Sequence, residues 1–313
     1  MYKVIFMGTP DFAVSALKCL IDSPDYEVCL AVSQPDKPVG RKQILVPTPV
    51  KQTALESGVE VYQPSSLKTD EAYEKLCSYA PDFIVVAAYG KILPQRVLDI
   101  PKYGCVNLHG SLLPKYRGSA PIQRAVINGE KVTGITTMLM DAGVDTGDML
   151  LKQETEIGEN ETAGELFDRL AAMCPEILLK TLSGIVNGTV TPVKQDSTQA
   201  TLAPMLDKNE AVIDWNRDAE SVHCMVCGMD PWPVARTSFC GKLLKIYGAV
   251  AVGGSLANGE PGTVSVKNGE IFVRCGLGTA VKLTDVQLEG AKRMSAADFL
   301  RGHANADGTV LGQ

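Results

Sequence analysis

Short apolar runs alternate with segments of helical spacing through the first half of the chain. Lys3 to Met7, Val28 to Val32, Val59 to Tyr62, Phe83 to Ala88, Cys105 to His109 and Gly134 to Met140 read as strands. Asp11 is placed to cap a helix whose apolar positions are Phe12, Leu17, Leu20 and Ile21. Apolar strands separated by helices predict a doubly wound, mostly parallel α/β sheet covered on both faces. In that Rossmann-like architecture a site is expected beyond the C-terminal strand ends, where the strand order reverses. Thr162 and Glu165 have capping-box spacing, and a helix is predicted from there through about Leu182.

The texture then changes. Residues 187–210 have little periodicity and many Thr, Gln, Pro and Asp residues, which reads as a linker. An Ile213-Asp214-Trp215 strand, a helix over Ala219 to Met229 and a Pro231-Trp232-Pro233 corner follow. From Val234 to Glu289 short strands alternate with turns at Gly253-Gly254, Asn268-Gly269 and Gly276. So many short strands in so few residues predict a small OB-like β-barrel. Ser295 and Asp298 open a short terminal helix. The expected organisation is a catalytic domain over 1–186, a linker over 187–210 and a barrel over 211–313.

Composition narrows the class. With 313 residues, 45% hydrophobic and 21% charged, the chain is an ordinary globular one rather than a disordered one. No apolar run approaches the ~20 residues that cross a bilayer, and no signal-peptide pattern opens the sequence. Nine cysteines in no framework spacing fit a reducing, cytoplasmic setting. A net charge of −6 argues against nucleic-acid binding driven by bulk charge, though not against a local basic surface. Only His109, His223 and His303 are histidines, so no multi-His metal site is expected.

Candidate chemistry lies at two strand ends. The first turn, Gly8-Thr9-Pro10, lacks the dinucleotide glycine pattern, and Pro10 removes an N–H that a phosphate would use. The run Asn107-Leu108-His109-Gly110-Ser111-Leu112-Leu113-Pro114 is more informative. Alternation puts Asn107 and His109 on one face, about 7 Å apart, and Gly110 lets the chain leave the strand sharply. A lone histidine is usually a hydrogen-bonded core residue; the strand end, the paired amide and the polar loop favour chemistry here. Met140 to Asp148 carries three acids and two glycines after a strand. Alone it is a solvated turn; beside His109 it could supply the imidazole with a carboxylate. Lys37, Arg41 and Lys42 form a basic turn of the kind that is commonly just exposed. His223, Cys224 and Cys227 lie within a predicted helix, and their spacing reads as packing rather than a metal site.

Asn-x-His-Gly-Ser-Leu-Leu-Pro with Arg117-Gly118, then Asp141-x-Gly143-x-Asp145-Thr146-Gly147, resembles the folate-dependent formyltransferases. Phe6 to Val14, Gln34 to Lys42, Pro231-Trp232-Pro233 and Arg293 to Leu300 extend the resemblance over nearly the whole chain. They favour the branch of the family that acts on an aminoacyl-tRNA. The resemblance implies 10-formyltetrahydrofolate as donor. It implies the α-amino group of methionine on initiator tRNA as acceptor, in translation initiation. By position it implies Asn107, His109 and Asp145 as catalytic and Ser111, Leu112, Leu113 and Pro114 as the folate-binding stretch. Arg41 and Lys42 would meet the tRNA acceptor stem, and the OB-like domain would help hold the tRNA. Where Cys227 stands, the family often has Arg. A monomer without metal or membrane contact is expected.

Formyl transfer between nitrogens passes through a tetrahedral oxyanion, which hydrogen-bond donors stabilise. Asn107 and His109 are the expected donors, with Asp145 orienting and charging His109 and helping to move protons. Another folate-dependent formyltransferase or hydrolase would share this core, and a non-catalytic RNA-binding protein would need only the barrel. Lys242, Lys245, Lys282, Lys292, Arg293 and Arg301 are the candidate basic contacts there.

Overall fold

The computed structural model describes residues 1–39, 43–253 and 259–312. Contacts divide them into two units. The first comprises 1–121, 133–155 and 167–204; the second comprises 122–132, 156–166 and 205–313. Residues 187–204, within the expected linker, therefore group with the first unit.

Its strands are β1 (Tyr2–Gly8), β2 (Tyr26–Val32), β3 (Lys37–Val39), β4 (Ile44–Val46), β5 (Val61–Tyr62), β6 (Phe83–Ala87), β7 (Cys105–His109), β8 (Val132–Leu139) and β9 (Met149–Glu156). Seven form one sheet in the order β5-β2-β1-β6-β7-β8-β9, and β3 and β4 pair as a separate hairpin. The pairs from β5 through β7 are parallel, while β8 runs antiparallel to β7. The doubly wound, mostly parallel sheet expected from the apolar runs is present. Strand order reverses between β1 and β6, and Thr9 Oγ1 spans the crevice to the Tyr89 carbonyl at 3.1 Å. Strand β6 is buried along its whole length, which explains its lack of alternation, and β7 is buried along its whole length with Asn107 and His109 on it.

The long helix Ala163–Val186 begins as its capping box predicts. Thr162 N–H donates to Glu165 Oε2 at 2.9 Å, and Glu165 N–H donates to Thr162 Oγ1 at 3.2 Å. No helix among the described residues is long and apolar enough to cross a membrane.

The second unit carries β10 (Arg236–Phe239), β11 (Lys242–Val252), β12 (Val264–Lys267), β13 (Glu270–Arg274), β14 (Ala280–Leu288) and β15 (Met294–Ser295). They form an antiparallel sheet in the order β10-β11-β14-β13-β12, with β15 on β14, the β-rich arrangement expected of an OB-like domain. Asn268 and Gly269, both at positive φ, make the predicted hairpin turn between β12 and β13. The Ile213-Asp214-Trp215 strand does not form. Asp214 accepts from the Asn216 backbone N–H at 3.0 Å, a local turn that ends extended pairing after the single bridge at Val212. The expected turn at Gly253-Gly254 lies partly outside the described residues.

Candidate active site

Asn107 and His109 project from β7 into the protein and are 7% and 5% exposed. No hydrogen bond to the protein engages the Asn107 side-chain amide among the described residues. His109 Nε2 lies 2.8 Å from the Tyr116 carbonyl. A carbonyl only accepts, so Nε2 carries a proton and the ring orientation is set by the loop that follows the strand. The other nitrogen, Nδ1, faces Asp145 Oδ2 at 3.7 Å. That separation is within ion-pair range and too long for a direct hydrogen bond.

Bringing Asp145 there requires an unusual loop. Strand β8 ends opposite Val106, so the chain must double back along β7 to reach His109. Asp145 does so at φ +52, a left-handed conformation that costs a non-glycine residue roughly 1 kcal/mol, least for Asp and Asn. Its Oδ2 accepts from Gly118 N–H at 2.8 Å. Gly147 closes the loop where a Cβ would stand 1.7 Å from the Leu139 carbonyl, so only glycine fits.

Ser111 and Leu113 are fully buried. Ser111 Oγ donates to the Lys115 carbonyl at 2.7 Å and Leu113 N–H donates to Thr136 Oγ1 at 3.1 Å. These two residues shape the loop, while Leu112 and Pro114 are partly exposed. Arg41 and Lys42 lie outside the described residues, but the hairpin that flanks them shows an apolar surface. Ile44, Leu45 and Val46 are 60%, 66% and 45% exposed. Asp36 anchors the base of this hairpin through Lys51 Nζ at 2.6 Å and Gln63 Nε2 at 2.7 Å. The Gln63 amide and the Lys51 ammonium hold the Asp36 carboxyl below its usual range.

Two features bordering the site were not among the sequence candidates. The loop after β6 emerges beside His109, because Ala87 pairs with Leu108, and Ala88 and Gly90 both take positive φ there. Gln195 Nε2 donates to the Asp145 and Gly147 carbonyls at 2.8 and 2.7 Å. A Gly beside a strand end signals the first; nothing local in the sequence signals the second.

The cysteine-histidine cluster of the second unit packs. Cys224 and Cys227 are buried on helix Ala219–Met229, and no group of three or more His, Cys, Asp or Glu among the described residues is placed to hold a metal ion. His223 lies between two carbonyls, Ala249 O at 2.6 Å from Nδ1 and Glu159 O at 2.8 Å from Nε2. Cys227 Sγ is 3.9 Å from either nitrogen. The Cys227 contact and the two carbonyls push the His223 pKa up to about 9, against the opposing effect of burial. The raised pKa stabilises the fold fully below about pH 6.5, and this contribution fades as pH rises through about 9. The denaturant midpoint of the wild-type protein is expected to fall between pH 6.5 and 9, and that of His223→Gln to stay flatter. Equal slopes in the two proteins would contradict a protonated His223.

The fold thus brings an amide, an imidazole and a carboxylate to the end of a Rossmann-like strand. Residues 2–182 match the formyl transferase family and residues 205–304 match the formyl transferase C-terminal domain. The chain belongs to the formyl transferase family. The methionyl-tRNA formyltransferase of Acetivibrio thermocellus is 49% identical over 312 residues, 99% of this chain and 100% of that protein. Among solved structures, the N-formyltransferase from Helicobacter canadensis, in complex with folinic acid and dTDP-3-aminofucose, is similar with a TM-score of 0.66 and 17% identity. The match covers 90% of this chain and 99% of that one. Methionyl-tRNA formyltransferase from Clostridium thermocellum gives a TM-score of 0.58 at 19% identity, covering 92% and 99%.

Proposed function

We propose that this enzyme transfers the formyl group of 10-formyltetrahydrofolate to the α-amino group of methionyl-initiator tRNA. It would act as a cytoplasmic monomer in translation initiation. The observation that carries the chemistry is the convergence of Asn107, His109 and Asp145, with the Asn107 amide left without a hydrogen-bond partner among the described residues. The acceptor follows from near-half identity to a methionyl-tRNA formyltransferase along both chains.

Bound at this strand end, the folate supplies the one-carbon unit. Asn107 Nδ2–H donates to the formyl oxygen, and the bond strengthens as that oxygen gains charge. His109 keeps Nε2–H on the Tyr116 carbonyl and presents Nδ1 toward the same region, so only its Nδ1–H can serve as the second donor. Asp145 Oδ2 faces that nitrogen from 3.7 Å and orients the ring. The amine must lose a proton and the departing nitrogen must gain one; with both ring nitrogens of His109 acting as donors, the Asp145 carboxylate accepts the first and returns it to the second. Ser111 to Pro114 forms the folate-side loop, with Leu112 and Pro114 offering contact. Arg41 and Lys42 meet the acceptor end of the tRNA, phosphates above all. The barrel over 211–313 holds the remainder through local lysines and arginines.

Incubation with 10-formyltetrahydrofolate and charged initiator tRNA is expected to yield formylmethionyl-tRNA. Elongator Met-tRNA, a glycinamide nucleotide and a sugar-nucleotide amine are expected to react far more slowly. Equal use of a small amine would reassign the acceptor. Arg41→Ala is expected to raise KM for tRNA with KM for folate unchanged, and an unaltered KM for tRNA would remove Arg41 from the interface.

A further inference from the structure

We propose that Gln195 is a positioning residue that holds Asp145 against His109 by clamping the Asp145 loop to Arg117; this rests on the catalytic reading of Asp145 given above. All the hydrogen-bonding capacity of the Gln195 amide is committed. Nε2 donates both protons, to the carbonyls of Asp145 and Gly147 at 2.8 and 2.7 Å. Oε1 accepts two bonds, from Arg117 Nε at 3.0 Å and Nη2 at 2.8 Å. The two carbonyls flank Thr146, so the amide fixes the backbone on both sides of the bend. That bend places Asp145 in its left-handed conformation, which needs outside support to persist.

The clamp closes on itself. Arg117 is followed by Gly118, whose N–H donates to Asp145 Oδ2 at 2.8 Å. Arg117 is also pinned through its backbone: its N–H donates to the Thr201 carbonyl at 2.9 Å, and its carbonyl accepts from Ala203 N–H at 2.6 Å. Gly118 sits where a Cβ would approach the Ala203 carbonyl to 2.6 Å, so the segments meet without room for a side chain. The aperiodic stretch after residue 187 is thus part of the support of the catalytic carboxylate. Among the described residues no hydrogen bond joins Gln195 to Asn107 or His109, so its link to them runs through Asp145.

Gln195→Glu separates the two halves of the clamp. A carboxylate still accepts from Arg117, but it offers no proton to the Asp145 and Gly147 carbonyls and repels them. Turnover is expected to fall at least tenfold, with KM for folate and for tRNA within twofold of wild type. Because Gln195 works through Asp145, the double variant Asp145→Asn/Gln195→Glu is expected to be no slower than Asp145→Asn alone. Wild-type turnover in Gln195→Glu, with Asp145→Asn inactive, would overturn the inference alone. So would multiplicative loss in the double variant. Wild-type turnover in Asp145→Asn would overturn the reading of Asp145 itself, and the inference with it. If Gln195→Glu does not fold, Arg117→Lys carries the same cycle. Lysine cannot offer the paired Nε and Nη2 donors that orient the Gln195 oxygen, so the same kcat loss and the same lack of additivity are expected.

Discussion

Asn107→Ala is expected to lower kcat by about 10²–10³-fold, the usual loss when one oxyanion donor is removed, while stability changes little. Both halves follow from one feature. The Asn107 amide is buried on β7, yet no protein group among the described residues takes a hydrogen bond from it. Removing it strands no partner, so the penalty for an orphaned polar group does not arise. The substrate loses its donor only when charge appears on the formyl oxygen, so the loss falls on kcat rather than on KM. Asn107→Asp sharpens the test. It keeps the shape, removes the donor and places a second carboxylate near Asp145, so it is expected to be slower than the Ala variant. Single-turnover formylation of charged tRNA measures the chemical step. A rate for Asn107→Ala within threefold of wild type would exclude the amide from oxyanion binding.

The parts of this molecule that were legible in its sequence are those fixed by local pattern. Strand β6 is an uninterrupted apolar run because both its faces are covered, and Asn107 and His109 share a face of β7 because side chains alternate. The capping box of Thr162 and Glu165 and the turn at Asn268-Gly269 depend on neighbours within a few residues. What was not legible depends on long-range closure. The hairpin of β3 and β4 leaves Ile44, Leu45 and Val46 exposed, so no burial pattern marks it as paired. Trp215 is buried and its Nε1–H donates to Thr237 Oγ1, yet the Asp214 turn beside it breaks the strand that its β-propensity predicts. Gln195 sits among polar residues without period, and its partners lie at separations of 48, 50 and 78 residues. The motifs therefore singled out residues that the fold brings to one strand end, while the segments that hold them in place emerge only from the folded chain.

Asp145→Asn is expected to reduce kcat by about 10²–10³-fold with KM for both substrates nearly unchanged, through loss of charge rather than of structure. Asparagine tolerates the left-handed conformation at least as well as aspartate, so φ +52 is kept. Its side-chain oxygen can still accept from Gly118 N–H, which preserves the loop. What disappears is a negative charge 3.7 Å from His109 Nδ1. The proton that the amine sheds then has no carboxylate beside the imidazole to stabilise its transfer, and the step that moves it becomes limiting. Asp145→Ala adds backbone strain at the same position and is expected to lose thermal stability as well as turnover. An Asn variant with wild-type kcat across the pH range would place proton transfer elsewhere, and leave Asp145 as a loop residue whose purpose is its bond to Gly118.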